Sequence, residues 1–301
     1  MLNGGGTMLQ REKKLTPYKL LCIILLVALA IFFLFPLYWI VTGSVKEKSD
    51  IIIKAGEAIK WWPTTISWGN FARLFKSQSE LFGAKIPLAM RWLFNSVFIS
   101  VVTMGITCVT ASMAGYVLAK KRFYGRAFVF SLFVCAMALP KQVILIPLLS
   151  EMNSIGLLNS TWGSLFAVIC PVVGWPFGVF MMKQFSETIP SEILEAARID
   201  GASELKTFTS VVLPMIKPGI GALAIFTFVN SWNEYPLQLV MLTQSEAKTI
   251  ALGIAGLQSE MSNDFGLIMA GAALAAVPII IVFITFQKYF TQGITMGAVK
   301  G

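Results

Sequence analysis

Residues Glu192–Gly219 read EILEAARIDGASELKTFTSVVLPMIKPG, a charged, helix-prone segment set between two long apolar runs. Pro190 and Ser191 supply a helix start, because a proline in the first turn has no intrahelical N–H bond to lose. Glu192 and Glu195 fall where the positive end of the helix dipole favours carboxylates. A first helix is predicted from Ser191 to Asp200. Gly201 supplies the permissive backbone that ends it, and Ser203 caps a second helix from Glu204 to about Val212. Leu213-Pro214 is expected to stop that helix, and Lys217-Pro218-Gly219 leads into the next apolar run. Ile193, Leu194, Ala196, Ala197 and Ile199, then Leu205, Phe208, Val211 and Val212, recur at roughly helical spacing. The segment reads as two amphipathic helices hinged at a glycine. Their apolar faces either lie against the membrane or this chain's own spans, or meet another surface that approaches closely over the small Ala196 and Ala197.

The rest of the chain belongs in a bilayer. It has 301 residues, of which 56% are hydrophobic and only 13% charged, with a mean hydropathy of +0.74; a soluble domain carries about a quarter charged residues. About 20 apolar residues cross the hydrocarbon layer, and six runs qualify, near 20–41, 94–119, 127–149, 162–182, 219–242 and 266–287. The first run is long enough to span and has no small-residue cleavage site after a short core, so it reads as a retained span rather than a signal peptide.

Basic residues orient the spans. Arg11, Lys13, Lys14 and Lys19 precede the first, and Lys120, Lys121, Arg122 and Arg126 fill the turn between the second and third. Dense clusters abutting spans face the cytoplasm, which places both termini there and puts the hinged segment on the same side, between spans four and five. The loops expected outside, about 150–161 and 243–265, carry no basic residue and Lys248 alone. The loop from Gly43 to Leu93 runs against the rule with eight basic residues, Lys46 to Arg91. Its Trp61, Trp62 and Trp68 either rest at the outer membrane interface or pack a small outer subdomain. The net charge of +9 is explained by this topology and does not imply a nucleic-acid partner.

Catalytic chemistry has little to work with. There is no histidine and no G-x-x-x-x-G-K-[ST] phosphate loop, so nothing here cradles ATP phosphates in the usual way. Cys22, Cys108, Cys135 and Cys170 each fall in a predicted span without metal-like spacing. No cofactor or metal is expected in the chain itself. Two ionisable residues, Lys141 and Glu234, fall within predicted spans, where each costs about 2.5–3.5 kcal/mol at mid-bilayer. Counted from the cytoplasmic ends they lie at similar depth, about 14 and 15 residues in at 1.5 Å each, which permits pairing. They either pair or line a water-filled route, or Glu234 is a structural element at the outer mouth. Small residues at Ala111, Ser112, Ala114 and Gly115, and at Gly266, Ala270, Gly271, Ala272 and Ala273, predict close helix contacts in spans two and six, within the bundle or at a seam with another subunit.

The string EAARIDGASELKTFTSVVLPMIKPG resembles the EAA loop of ATP-binding-cassette importer permeases. Glu195, Ala196, Ala197, Gly201, Leu213 and Pro214 occupy its pattern, with Asp200 beside the glycine. NSVFISVV from Asn95, ASMAGYVLAKKRFYGR from Ala111, LPKQVILIPLL from Leu139, FVNSWNEYPLQLV from Phe228 and QGITMGAVKG from Gln292 are similar to the maltose-permease-like, carbohydrate-uptake branch. The likeness runs over nearly the whole chain and is weakest from Gly43 to Leu93.

This resemblance implies an all-α integral membrane protein with six transmembrane helices, the type I importer permease fold. Its parts would be a cytoplasmic segment 1–19, a first helix and outer loop 20–93, a five-helix core 94–290 containing the EAA loop 184–218, and a tail 291–301. It implies that Glu195, Ala196, Ala197, Asp200, Gly201, Leu213 and Pro214 form a coupling surface docked in a cleft of an ATPase subunit, which binds ATP and Mg. The further partners implied are a second homologous permease, two ATPase subunits in all, an extracellular solute-binding protein and the cell membrane. The activity implied is translocation of a carbohydrate, an oligosaccharide above all, by alternating access. Lys141, Asn230, Trp232, Asn233, Glu234 and Tyr235 then become the candidate pathway, offering hydrogen bonds and stacking to a sugar. A glycerol-phosphate or polyol permease fits the same scaffold. An ion-coupled secondary transporter would use Lys141 and Glu234 as its coupling pair, but such proteins often show related halves and several intramembrane carboxylates, and neither is evident in this sequence.

Overall fold

The computed structural model describes residues 16–52, 56–260 and 264–298, with side chains as far as Gln287. Arg11, Lys13, Lys14 and the last three residues, 299–301, lie outside the described residues. The helices are α1 (Pro17–Ser44), α2 (Lys48–Ile51) and α3 (Gly69–Leu74), followed by a hairpin of β1 (Gln78–Leu81) and β2 (Ala84–Pro87). Then come α4 (Leu88–Lys120), α5 (Arg126–Met137), α6 (Leu145–Ser154), α7 (Thr161–Ile169) and α8 (Pro176–Glu187). The hinged segment supplies α9 (Ser191–Ile199), α10 (Glu204–Thr207) and α11 (Leu213–Met215). The chain closes with α12 (Lys217–Trp232), α13 (Pro236–Met241), α14 (Ile250–Glu260) and α15 (Phe265–Ala298).

Among the described residues three helices are long and apolar enough to cross a membrane unaided: α1, α4 and the Phe265–Gln287 part of α15. Three further helix pairs are long and apolar enough only when taken together, and each is bent. The α5 helix meets the Lys141–Ser154 helix at 93°, α7 with its 3₁₀ extension meets α8 at 48°, and the α10–α11 unit meets α12 at 78°. The expectation of continuous spans over 127–149, 162–182 and 219–242 is corrected, the last because α12 ends at Trp232 and the next helix starts only at Pro236. Prolines stand at these breaks, where the ring has no N–H to donate to the helix ladder. Pro140 sits in extended backbone between α5 and the 3₁₀ turn Lys141–Ile144, Pro176 opens α8, and Pro236 opens α13 after the irregular Asn233–Tyr235. The second crossing also begins earlier than 94, because β2 runs directly into α4 at Leu88.

At the centre is α4, which packs against α8 and α12. Its small residues let backbones meet: a Cβ on Gly115 would lie 2.6 Å from the Lys183 backbone nitrogen, and one on Gly178 would lie 3.3 Å from Ala111 Cβ. Such contact is the main source of helix association in lipid, where apolar burial alone gives little. The small residues of α15 serve the same bundle. A Cβ on Gly266 would lie 2.8 Å from the Asn70 side chain, one on Gly271 would lie 2.8 Å from Ile254, and Ala270 is fully buried. Along most of its length α1 exposes Leu, Ile and Phe, as expected of a face turned to lipid or to a neighbouring subunit.

The end of the bundle opposite the hinge, the far end, is a built subdomain rather than a loose loop. The hairpin pairs Gln78 with Pro87 and Leu81 with Ala84 and turns through Phe82 and Gly83, both at positive φ, as a tight two-residue hairpin demands. Asn70 donates to the Ser44 and Lys46 carbonyls at 2.9 and 2.8 Å, closing the end of α1, and Arg73 pairs with Asp264 ahead of α15. Lys46 is buried, donating to the Lys60 carbonyl at 2.5 Å and lying 4.4 Å from the centre of the Trp39 ring. Lys60 in turn pairs with Asp50 at 2.7 Å. Arg91 is a buried residue of the first turn of α4, bonded to the Glu80 carbonyl. Much of the basic charge that ran against the orientation rule is thus internally satisfied. Trp61 packs on Trp39 and Trp62 on Tyr38, at 6.0 and 6.4 Å between ring centres, and both keep more than half their surface exposed. Trp61 and Trp62 thus pack on the end of α1, and Trp68 packs on Phe71 at 5.7 Å between ring centres, with all three still largely exposed.

Candidate functional site: a hinged surface and a cleft

At the hinge, sequence and structure agree in detail. α9 ends where the Gly201 N–H donates to the Arg198 carbonyl and the Ala202 N–H to the Ala197 carbonyl, both at 3.0 Å, with Gly201 at φ +76°. This paired closure needs a left-handed residue, which glycine adopts without a Cβ penalty. Ser203 Oγ then accepts from the Lys206 N–H and caps α10. The expected stop at Leu213-Pro214 is corrected: the helix passes through Pro214 and ends at Met215. A π turn over Phe208–Val212 makes this possible, with the Leu213 N–H reaching the Phe208 carbonyl. The widened turn accommodates a proline ring that a regular helix would reject.

The apolar side chains divide into two sets. Leu194, Phe208 and Val212 are buried in a cluster with Tyr116, Leu118, Met182 and Ile189. Ile199 and Leu205 project, 86% and 67% exposed. Around them Glu195, Ala196, Asp200, Gly201 and Pro214 are exposed, while Ala197 and Leu213 are half-buried. The inner set fastens the hinge to the bundle, and the outer set forms a surface with small side chains at its centre.

Two consecutive lysines at the end of α4 hold this segment from both sides. Lys120 Nζ donates to the Ile189 carbonyl at 2.6 Å and the Glu187 carbonyl at 3.1 Å, satisfying orphan carbonyls where α8 hands over to α9. Lys121 pairs with Glu204 in the first turn of α10 and lies 5.3 Å from the centre of the Tyr116 ring. Tyr116 itself packs on Phe208 at 5.6 Å. Arg198, at the end of α9, reaches Glu204 from the other side at 3.4 Å. Sequence reasoning used these lysines only for orientation.

The second feature is a cleft of about 720 Å³ where the breaks after α5, between α7 and α8, and between α12 and α13 converge. Lys141, Gln142, Trp175, Phe177, Asn230, Asn233, Glu234 and Tyr235 supply its polar and aromatic lining. Glu234 Oε1 accepts from the Leu237 N–H at 3.3 Å, and its Oε2 lies 3.9 Å from Lys141 Nζ. Both charges sit at chain breaks rather than inside continuous helices, where water and free backbone groups offset the cost of charge in a membrane. The lysine side chain is 55% exposed and the glutamate 19%, so the cationic end faces the open cleft.

Five of the six residues expected on the pathway meet here. Trp232 does not: it is buried on the opposite face of α12, stacked on Phe228 at 5.6 Å and packed near Trp92 and Leu267. Trp232 lies two positions after Asn230, about 200° around the helix, so it faces the core when Asn230 faces the cleft. The tryptophan found there instead is Trp175. Its signal was Gly174-Trp175-Pro176, a glycine and a proline flanking an aromatic inside an apolar run, as expected at a helix break lining a cavity. Among the described residues no group of three His, Cys, Asp or Glu gathers as metal ligands.

Comparison with known proteins places this architecture. Residues 109–296 match the family described as "Binding-protein-dependent transport system inner membrane component". The arabinooligosaccharides transport system permease protein AraQ of Bacillus subtilis (strain 168) is 32% identical over 98% of this chain and 100% of its own length. The diacetylchitobiose uptake system permease protein DasC of Streptomyces coelicolor is 30% identical over 91% of this chain and 95% of its own. Among solved structures, a bacterial ABC transporter involved in the import of the acidic polysaccharide alginate superposes with a TM-score of 0.72. It covers 91% of this chain and 96% of its own at 22% identity, a likeness of fold. The chain belongs to the family of binding-protein-dependent transport system inner membrane components.

Proposed function

We propose that this chain is one of two homologous permease subunits of an ATP-driven importer that carries a neutral oligosaccharide into the cell. In this reading the hinge end faces the cytoplasm with both termini, and the segment carrying Glu195, Ala196, Ala197, Asp200, Gly201, Leu213 and Pro214 is the coupling loop docked on an ATPase subunit. That subunit binds ATP and Mg. The observation that carries the reading is the glycine-closed hinge with Ile199 and Leu205 projecting beside two alanines. Such an apolar tip set on small side chains suits insertion into a groove on another protein.

The cleft supports the substrate class. Asn230 and Asn233 offer amides of both hydrogen-bonding polarities, and Trp175 and Tyr235 offer ring faces, the combination a polyhydroxylated ring requires. Its one lysine and one glutamate face each other, so their charges are matched before any solute enters. Relatives named for arabino-oligosaccharides and diacetylchitobiose agree with a glycan. The second permease would complete the cavity, and the solute-binding protein would deliver the glycan at the far end.

Co-purification tests the coupling surface. The tagged chain, expressed with its neighbouring genes and extracted in mild detergent, should bring down an ATPase and a second permease. Gly201→Asp and Glu195→Arg should lose the ATPase and keep the permease. Retention of the ATPase by both variants would remove the assignment.

A further inference from the structure

We infer that Lys121 and Glu204, supported by Lys120, form a latch that makes α4 the lever between the hinged segment and the far end of the bundle. The inference rests on the reading of the hinge as a coupling surface. It concerns how motion leaves that surface, which docking alone does not determine.

The geometry is one of grips at both ends of a single rod. At the hinge end, Lys120 holds the carbonyls of Glu187 and Ile189 just before α9, and Lys121 holds Glu204 just after Gly201. The flexible glycine therefore lies between two points fixed to the last residue of α4 and to the residue that follows it. Tyr116 backs the latch by packing on Phe208, with the Lys121 ammonium over its ring, and Arg126 donates to the Lys121 carbonyl at 3.3 Å. At the far end the first turns of the same helix grip the chain leading into α14. Trp92 Nε1 donates to the Ser245 carbonyl at 2.8 Å, and Asn95 Nδ2 donates to the carbonyls of Glu246 and Lys248 at 2.7 and 2.9 Å. Ser96 Oγ accepts from the Ile250 N–H at 2.9 Å.

The helix that carries both grips, α4, is unbroken over 33 residues, about 50 Å at 1.5 Å per residue, whereas the helix pairs containing α5, α8 and α12 all bend. A displacement applied at a kinked helix is absorbed at its break. One applied to α4 is delivered whole to the loop before α14. The hinge also contacts the bundle through Leu194, Phe208 and Val212, but these side chains can roll on their neighbours, while the charge pair fixes α10 in direction. Arg198 reaches Glu204 as well, yet it belongs to α9 and moves with the hinge, so it cannot replace Lys121 as the link to α4.

The test uses the complete reconstituted complex with its binding protein and solute, and reads the solute moved per ATP hydrolysed. Lys121→Glu and Glu204→Lys should each keep the ATPase bound and hydrolysing while solute moved per ATP falls at least threefold. Lys121→Arg should stay near wild type, and the exchange Lys121→Glu/Glu204→Lys should recover at least half of the loss. An unchanged ratio in both single variants overturns the latch, as does loss of the ATPase from the complex in those variants. If neither the latch variants nor Gly201→Asp alters ATPase binding or coupling, the coupling-surface reading itself fails.

Discussion

Gly201 carries the most information of any single residue. Its left-handed backbone closes α9 through two hydrogen bonds and aims α10 back toward α4. A side chain there strains the turn by about 1–2 kcal/mol and also intrudes on the exposed surface, which is why Gly201→Asp separates docking from folding. Ser203, three residues before the Lys206 N–H it caps, was equally readable, because capping is chemistry between near neighbours in sequence. Lys141 and Glu234 were legible as residues but not as a place. Their depths along ideal helices suggested a meeting, and they do meet, yet at two chain breaks beside Pro140 and Pro236. Reversing either charge leaves two like charges about 4 Å apart, and each single reversal should cut uptake at least tenfold. The double exchange should restore a substantial part of it in an uptake assay. A double variant as inactive as the singles would remove pairing from the account and leave Glu234 its bond to Leu237.

Among the elements, straight crossings were easier to foresee than bent ones. α1, α4 and α15 announce themselves because an apolar run of sufficient length crosses a bilayer whatever its neighbours do. The bent crossings depend on how each proline is accommodated, and that differs locally: Pro140 and Pro236 stand at helix breaks, while Pro214 passes through a π turn. Pro36 and Pro278 lie inside α1 and α15 without ending them. Hydropathy alone does not separate these cases. The contact of α4 with α8 was foreshadowed by Ala111, Ser112 and Gly115, though not its partner, Gly178 on a helix more than sixty positions away. Gly115→Val puts a branched side chain where a single Cβ would already sit 2.6 Å from backbone. Overpacking of this kind costs about 1–3 kcal/mol. A clearly lower detergent melting temperature is expected, and melting indistinguishable from wild type would show that α4 and α8 are further apart than described. The far-end subdomain was the least legible part. Its Asn70 bonds to the end of α1 and its Arg73–Asp264 pair join residues distant in sequence, and no local pattern marks them.

For the whole molecule, the chain is an inner membrane component of a binding-protein-dependent transport system, a transport subunit whose ATPase is a separate polypeptide. Its plan follows from dividing rigid from yielding parts. A straight α4 links the two ends, helix breaks surround a cleft, and a glycine-hinged surface projects from one end. Alternating access needs such a division, because a ligand or nucleotide moves an equilibrium only through parts that differ between states. The measurement that tests this account most directly is uptake of a labelled neutral oligosaccharide into vesicles containing the complete complex, with and without internal ATP and with ion gradients collapsed. The account predicts uptake that requires ATP and the binding protein, survives loss of the ion gradients, and is abolished by Gly201→Asp. Uptake by this chain alone, independent of ATP and lost with the gradient, would contradict it and make Lys141 and Glu234 an ion-coupling pair.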